Sequence, residues 1–348
     1  MIHRKKHYLS KISLIVGLII LSGLLYGRIV SIPVVRELVV TFTVTSTPIS
    51  TPTSTLTPTS TPTLTPTPLP KIERVLIISY DGMRPDAIEK APMPNLLKLM
   101  DTGAYAPTSA ETIAYPATLP SHAAMLSGLC TRENGIFLNR YFKYMGYSKG
   151  VDIFDLAHSA GMRTVMIVGK DKLRQIAEPE TTDVFEIRYD EKAIGNVAVE
   201  EIAKDFGLMF VHFPNADKIG HKYGWMNYGY LRILTHGDEA LGDILTALDE
   251  NGLRETTLII VTADHGGHGE DHIGTTIQDY RIPWIINGLG IVRGELNIPI
   301  QTMDTAATAA YALGLPLQSN WQGIPVYEAF GQPRLKEHPP VNQHPCHE

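Results

Sequence analysis

Five short runs of almost unbroken apolar residues punctuate the chain between Lys71 and Gln332: Arg74 to Ser79, Thr164 to Val168, Leu208 to Phe213, Thr257 to Thr262 and Pro283 to Asn287. Because they lack polar alternation, they predict strands buried on both faces, as in a parallel sheet covered on each side. Between them the pattern predicts helices over Asn95 to Met100, Ser121 to Leu126, Ile153 to Ser159, Glu191 to Lys204, Tyr228 to Leu248 and Thr305 to Leu313. Gly103, Gly161 and Gly252 stand where such helices end. Strand and helix in alternation predict an α/β fold, a three-layer α/β/α arrangement with a mostly parallel central sheet. Ligands of such sheets bind at the carboxyl ends of strands, so polar residues just after a strand are the first candidates for chemistry.

The two ends of the chain follow different patterns. His3, Arg4, Lys5, Lys6 and Lys11 precede an apolar run from Ile12 to Tyr26, and a second run follows Arg28. A basic flank before an apolar run predicts an export segment with a cytoplasmic N-terminus and everything after it outside. Residues 1–40 are read as an uncleaved membrane anchor, with a cleaved signal peptide as the alternative. Residues 41–70 are almost wholly Thr, Pro and Ser, which predicts an extended stalk rising ~3 Å per residue. The catalytic domain is expected over 71–335 and a solvated, disordered tail over 336–348.

Composition narrows the chemistry. The chain has 348 residues and a formal net charge of −6, which lacks the basic footprint of a nucleic-acid-coating protein. Its only cysteines, Cys130 and Cys346, are too few for a disulfide scaffold or a cysteine zinc site. The expected disorder of the tail favours two free thiols, although export would permit a disulfide. Metal ligands must therefore be Asp and His.

Three strand ends supply them. The first run leads into Asp81, the fourth into Asp264 and His265, and the third is followed by Asp217 and, four residues on, His221. A four-residue spacing puts two side chains on one face if the segment turns helically. His268 and His272 lie in the loop after Asp264. A lone Asp after a strand is usually a turn residue or cap, but recurrence at equivalent places on separate strands points to metal binding. The donors suit zinc, or manganese as an alternative, and suffice for two ions. Two ions ~3.5–4 Å apart clamp the attacking and departing oxygens of an in-line phosphoryl displacement.

These segments resemble the alkaline phosphatase superfamily and, within it, the type I phosphodiesterase/nucleotide pyrophosphatase branch. Ser79-Tyr80-Asp81-Gly82-Met83-Arg84, the stretch Asn215 to Gly224 and Thr262-Ala263-Asp264-His265-Gly266 are similar to its three metal motifs. Tyr115-Pro116-Ala117-Thr118-Leu119-Pro120-Ser121-His122 is similar to its nucleophile motif, and Ser127 to Asn139 to the stretch whose last Asn touches phosphate. The resemblance implies an alkaline phosphatase-like fold, Thr118 as nucleophile and Asn139 as phosphate contact. It also implies one metal on Asp217, His221 and a late histidine, and another on Asp81, Asp264 and His265, with Thr118 between them. His272 fits the late position better than His268, because it lies at a family-like distance before Ile282-Pro283-Trp284-Ile285.

The implied reaction is hydrolysis of a small-molecule or lipid phosphate ester through a phosphothreonine, outside the cytoplasm. Alternatives are a phosphomonoesterase, a phosphonate hydrolase, a headgroup transferase or a non-catalytic surface binding module. Leu119 and His212 stand where nucleotide-preferring relatives carry base-stacking aromatics, and Asn215-Ala216 replaces Glu-Pro. The compact catalytic region leaves little chain for a cap and implies an open site. A threonine nucleophile disfavours a sulfatase, which needs Cys or Ser there. The sequence is silent on oligomeric state.

Overall fold

The computed structural model describes residues 71–274, 276–336 and 338. The expected anchor (1–40), the stalk (41–70) and the tail from Pro339 onward lie outside the described residues. Among the described residues, no helix is long and apolar enough to cross a membrane.

The strands are β1 (Arg74–Tyr80), β2 (Ala104–Ala106), β3 (Ala110–Glu111), β4 (Thr164–Val168), β5 (Val184–Ile187), β6 (Leu208–Phe213), β7 (Thr257–Thr262), β8 (Trp284–Asn287), β9 (Gly294–Glu295) and β10 (Ile300–Gln301). The α-helices are α1 (Pro94–Thr102), α2 (Thr118–Ser127), α3 (Thr131–Asn134), α4 (Ile153–Ser159), α5 (Glu191–Ile202), α6 (Asn215–Tyr223), α7 (Tyr228–Glu250), α8 (Ile277–Tyr280) and α9 (Asp304–Ala312).

Eight strands form one sheet in the order β5-β4-β6-β1-β7-β8-β2-β9. From β5 to β7 all pairings are parallel, whereas β8 runs antiparallel to both β7 and β2. Every residue of β4, β6 and β7 is buried, as strands covered on both faces require. Helices α1, α5, α6 and α7 pack together as one layer, and α2, α4 and α9 as another. The architecture is the expected three-layer, mostly parallel α/β/α fold.

Register sets the geometry of the site. Ser79 of β1 lies opposite His212 of β6 and Thr262 of β7, so three chains leave the sheet at one level. The Asp81 N–H then donates to the Phe213 carbonyl at 2.9 Å, and the Asp217 N–H donates to the Asp81 carbonyl at 3.0 Å.

The structure adds elements that the pattern did not predict. β5 is an edge strand whose four residues are all half-buried, while β2 and β9 are too short to carry an apolar run. Helix α2 begins at Thr118 rather than Ser121, and all ten of its residues are buried. It therefore has no exposed face to mark its start, and Pro120 is tolerated in the first turn, where helix N–H groups have no intrahelical partner. Thr118 is not the cap of this helix; that position is Ala117, without a side-chain capping bond. Two expectations about the tail change. Cys130 is disulfide-bonded rather than a free thiol, while Cys346 lies outside the described residues. His338 is packed inward, with Nε2 2.8 Å from both Asp304 carboxylate oxygens.

Helix α7 braces α1 through one carboxylate. Buried Asp238 accepts the backbone N–H groups of Asn95 at 3.0 Å and Leu96 at 2.8 Å, two of the donors that a helix start leaves unpaired. Asp238→Ala is expected to destabilise the fold by about 2 kcal/mol, since hydrogen bonds to charged groups contribute at that level. Urea unfolding should show a lower midpoint with an unchanged slope.

Candidate metal centre and nucleophile

The three carboxylates foreseen at strand ends converge. Asp81 and Asp264 are fully buried and Asp217 is 6% exposed. Gly82 makes the approach of α6 possible. It sits at φ +73°, and a Cβ there would lie 3.1 Å from the Asp217 Cα and Cβ. Its N–H also donates to Asp264 Oδ1 at 3.0 Å.

The histidines are aimed by their backs. In His221, His265 and His272, Nδ1 is hydrogen-bonded to a backbone carbonyl, of Glu270, Gly266 and Pro116 respectively, at 2.7–2.8 Å. A carbonyl only accepts, so Nδ1 carries the proton and each Nε2 presents a lone pair, the arrangement that orients metal-binding imidazoles. His265 Nε2 faces Asp264 Oδ2 at 3.4 Å, Asp81 Oδ1 at 3.5 Å and Asp217 Oδ1 at 3.9 Å. His221 and His272 bring Nε2 to 3.3 and 3.5 Å from Asp217 Oδ1.

Four buried atoms at this centre, Asp81 Oδ1, Asp217 Oδ1, Asp264 Oδ2 and His265 Nε2, have no hydrogen-bond partner. Buried polar atoms without a partner are costly, and lone pairs facing one another at these distances are what a divalent cation would satisfy. The donor set therefore fits the implied metals. Donor atoms of Asp217, His221 and His272 lie within 4.8 Å of one another, as do those of Asp81, Asp217 and His265, so Asp217 stands within reach of both groups. His268 is not among them; its Nδ1 pairs with Asp279 Oδ1 at 2.7 Å.

Thr118 opens α2 at the same rim, nearly fully buried, with Oγ1 accepting from Lys170 Nζ at 3.2 Å. Asn139 accepts on Oδ1 from the Leu119 N–H and from Lys172 Nζ, both at 3.0 Å.

Four further side chains belong to this centre and were not among the candidate site residues read from the sequence. His212 Nδ1 accepts from the Gly169 N–H at 3.1 Å, so its protonated Nε2 donates to Asp81 Oδ2 at 2.8 Å. His122 joins Ser79 Oγ to the Thr118 carbonyl at 2.8 and 2.7 Å; burial pushes its pKa down to about 4 despite Asp264 nearby. Lys170 and Lys172 follow β4, and the rule that singled out residues after strands would have found Lys170 had it not been applied to acids alone. Neither Leu119 nor His212 can stack on a base, since both are buried, His212 beneath Asp81.

Electrostatics keep Asp81 and Asp217 ionised. Burial works against the charge on Asp81 but is outweighed by Lys170 and His212, which hold its pKa well below the usual carboxylate range. Asp217 is also lowered, with burial and Asp81 opposing and Lys170 and His221 prevailing. The Asp217 carboxylate facing its Nε2 raises His221, whereas burial and then His265 lower His272.

A mostly parallel α/β/α sheet with Asp and His gathered at its strand ends defines the alkaline phosphatase-like class. Residues 75–280, more than half of the chain, match the family described as type I phosphodiesterase/nucleotide pyrophosphatase, and the chain belongs to it. A bis(5'-adenosyl)-triphosphatase of Xenopus laevis is 24% identical over 214 residues, 56% of this chain and 47% of that protein. The chain thus spans about half the length of the curated relatives it first matches. Among solved structures, a murine ectonucleotide pyrophosphatase/phosphodiesterase 5 in complex with AMP is similar at TM-score 0.59 and 13% identity, over 74% of this chain and 98% of that one. A putative sulfatase from Bacteroides thetaiotaomicron is similar at TM-score 0.63 and 17% identity, over 77% of each chain.

Metal binding should depend on pH through His221. Below its raised pKa the ring is protonated and cannot act as a ligand, whereas Asp81 and Asp217 stay ionised well into acid. Without metal, the His221–Asp217 ion pair contributes most below the ordinary histidine pKa of about 6.5, and that contribution disappears as pH rises through the raised value. The rise in melting temperature on adding zinc should therefore be largest near pH 8 and shrink towards pH 5, as scanning fluorimetry of metal-stripped protein will show. A zinc effect independent of pH would exclude histidine ligation.

Proposed function

We propose that the protein hydrolyses phosphate esters, with diesters and pyrophosphates as its main substrates, by way of a phosphothreonine on Thr118. The observation that carries this reading is the convergence of four unpartnered buried donor atoms beside the nucleophile hydroxyl. Asp217, His221 and His272 would hold one divalent ion and Asp81, Asp264 and His265 the other, zinc suiting the donors best and manganese being the alternative. When bound, the ions supply Lewis-acid stabilisation of the attacking and departing oxygens.

The remaining steps fall to the chain itself. Thr118 Oγ1, its proton released to solvent, attacks phosphorus; the bond to the leaving oxygen breaks, and that oxygen departs as the alcohol or phosphate after taking up a proton. The start of α2 can offer the Thr118 N–H to a phosphoryl oxygen, whereas the Leu119 N–H is held by Asn139, Pro120 has none and the Ser121 N–H donates to the Ala117 carbonyl. Asn139, whose Oδ1 is already held by two donors, has its Nδ2 left to donate to a non-bridging oxygen. Water then cleaves the phosphothreonine, so two displacements retain configuration at phosphorus.

The names of the relatives agree with this class of reaction, and the AMP complex of the murine neighbour is compatible with a phosphate ester at the site. Burial of Leu119 and His212 weighs against base stacking at those places, so the substrate need not be a nucleotide. A small-molecule or lipid ester met outside the cytoplasm, with the protein tethered by its N-terminal segment, completes the reading.

Steady-state assays of the zinc-loaded protein with p-nitrophenyl phosphate, bis-p-nitrophenyl phosphate and a nucleoside p-nitrophenyl diester test it. Diester turnover should dominate, and Thr118→Ala should lower kcat by about 10³-fold or more, as loss of a covalent nucleophile does, while zinc content is retained. Turnover that survives Thr118→Ala would sink the phosphothreonine; no turnover of any ester, with zinc bound, would favour the surface binding module.

A further inference from the structure

Lys170 and Lys172 leave the end of β4 on the rim that carries the carboxylates, and neither ligation nor nucleophilic attack accounts for them. Lys170 Nζ lies 2.7 Å from Asp81 Oδ2 and 2.6 Å from Asp217 Oδ2, and donates to Thr118 Oγ1 at 3.2 Å. It is thus the one described side chain hydrogen-bonded to the Thr118 hydroxyl. Lys172 Nζ donates to Asn139 Oδ1, which the Leu119 N–H also holds.

The oxygens that Lys170 engages are not those left without partners. Asp81 and Asp217 each turn Oδ2 to the ammonium and Oδ1 towards the imidazoles of His221, His265 and His272, while His212 also donates to Asp81 Oδ2. Lys170 therefore does not compete with a divalent ion for the same lone pairs, and its charge can remain beside Thr118 when the site is loaded. An ammonium on a flexible stem presents three donors. Two are directed to Asp81 and Asp217 and the third to Thr118 Oγ1, where the phosphorus would become attached.

We infer that Lys170 is a catalytic residue whose third N–H is shared between Thr118 Oγ1 and the non-bridging phosphoryl oxygen next to it, and that it raises the site's affinity for phosphoryl groups bearing two negative charges, the product phosphate included. Lys172 is a positioning residue, which fixes the Asn139 amide with its Nδ2 towards the substrate. This inference rests on the phosphoryl-transfer reading above and adds a charge criterion to it. A diester presents one negative charge at phosphorus, whereas a monoester or inorganic phosphate presents up to two. A fixed cation at the non-bridging oxygens favours the second class more strongly, because the attraction scales with the charge it meets. Lys172, acting through a neutral amide, is expected not to discriminate between them.

The test compares the full chain with its Lys170→Met, Lys170→Arg and Lys172→Met variants at pH 8. It reads kcat/KM for p-nitrophenyl phosphate and bis-p-nitrophenyl phosphate, and, separately from turnover, calorimetric binding of inorganic phosphate to the zinc-loaded protein. Lys170→Met should lower kcat/KM for the monoester ~10-fold or more beyond its effect on the diester, on the scale of a lost oxyanion donor, and weaken phosphate binding by a similar factor. Lys170→Arg, which keeps the charge, should retain most of the monoester turnover and of the phosphate affinity, and guards against misfolding of the Met variant. Lys172→Met should reduce both esters alike and add nothing once Asn139→Ala is present, the non-additivity expected of coupled residues.

An equal loss on both esters with phosphate binding unchanged would overturn the role of Lys170. Additive effects of Lys172→Met and Asn139→Ala would overturn that of Lys172. Failure of the underlying reading looks different: hydrolysis would then be insensitive to Thr118→Ala, whatever Lys170 does to phosphate binding.

Discussion

Three carboxylates are forced together at one rim of the sheet, and the rest of the site is arranged around that constraint. The parallel pairing of β1 with β6 on one side and β7 on the other, in matched register, sends the chain out beside itself three times. Each exit brings an acid, and Gly82 lets the Asp217 backbone come close enough for its carboxylate to join the other two. Buried negative charges in such proximity are tolerated only when opposite charge and hydrogen bonds compensate them. Lys170, the Gly82 N–H and His212 provide part of that compensation, yet they satisfy only one oxygen of each carboxylate. The other oxygen of each acid is left facing imidazole lone pairs, and a divalent cation resolves that arrangement more fully than any side chain present.

The same constraint explains what the sequence showed. β1, β6 and β7 are apolar throughout because they are central strands, and an acid immediately after such a run stands out; Asp81 and Asp264 were legible for that reason. The spacing of Asp217 and His221 announced α6 as a turn of helix rather than as a full element. The histidines were visible as candidates, but their aim was not, since it comes from carbonyls of Pro116, Gly266 and Glu270 that no residue pattern specifies. His212 was noted only as the place where nucleotide-preferring relatives carry a stacking aromatic, whereas here it is a hydrogen-bond link between Gly169 and Asp81.

The missed elements share a cause as well. A wholly buried helix such as α2 has no exposed face, so amphipathic periodicity could not place its first residue, and the start at Thr118 depends on the rim it packs into. The edge strands β5 and β9, and β2 beside the second of them, are short or half-buried and gain their regularity from the sheet they join. Lys170 had a usable signal, its position directly after β4, but a search framed around acidic ligands passed over a basic one.

In the proposed reaction, with Thr118 attacking phosphorus, selectivity follows from which side of the phosphorus the chain occupies. On the attacking side the donors are dense and fixed: Lys170 holds the Thr118 oxygen, while Lys172 and the Leu119 N–H hold the Asn139 amide. On the leaving side, the places where a base-stacking pair was sought are filled by buried Leu119 and His212, which can contact no departing group. Contacts made to the phosphoryl group itself persist through bond cleavage and strengthen as charge develops, so they accelerate the chemistry. Contacts to the leaving group chiefly decide which alcohol is accepted. A site built heavily on the first kind and sparsely on the second should discriminate among esters more by the charge at phosphorus than by the identity of the alcohol.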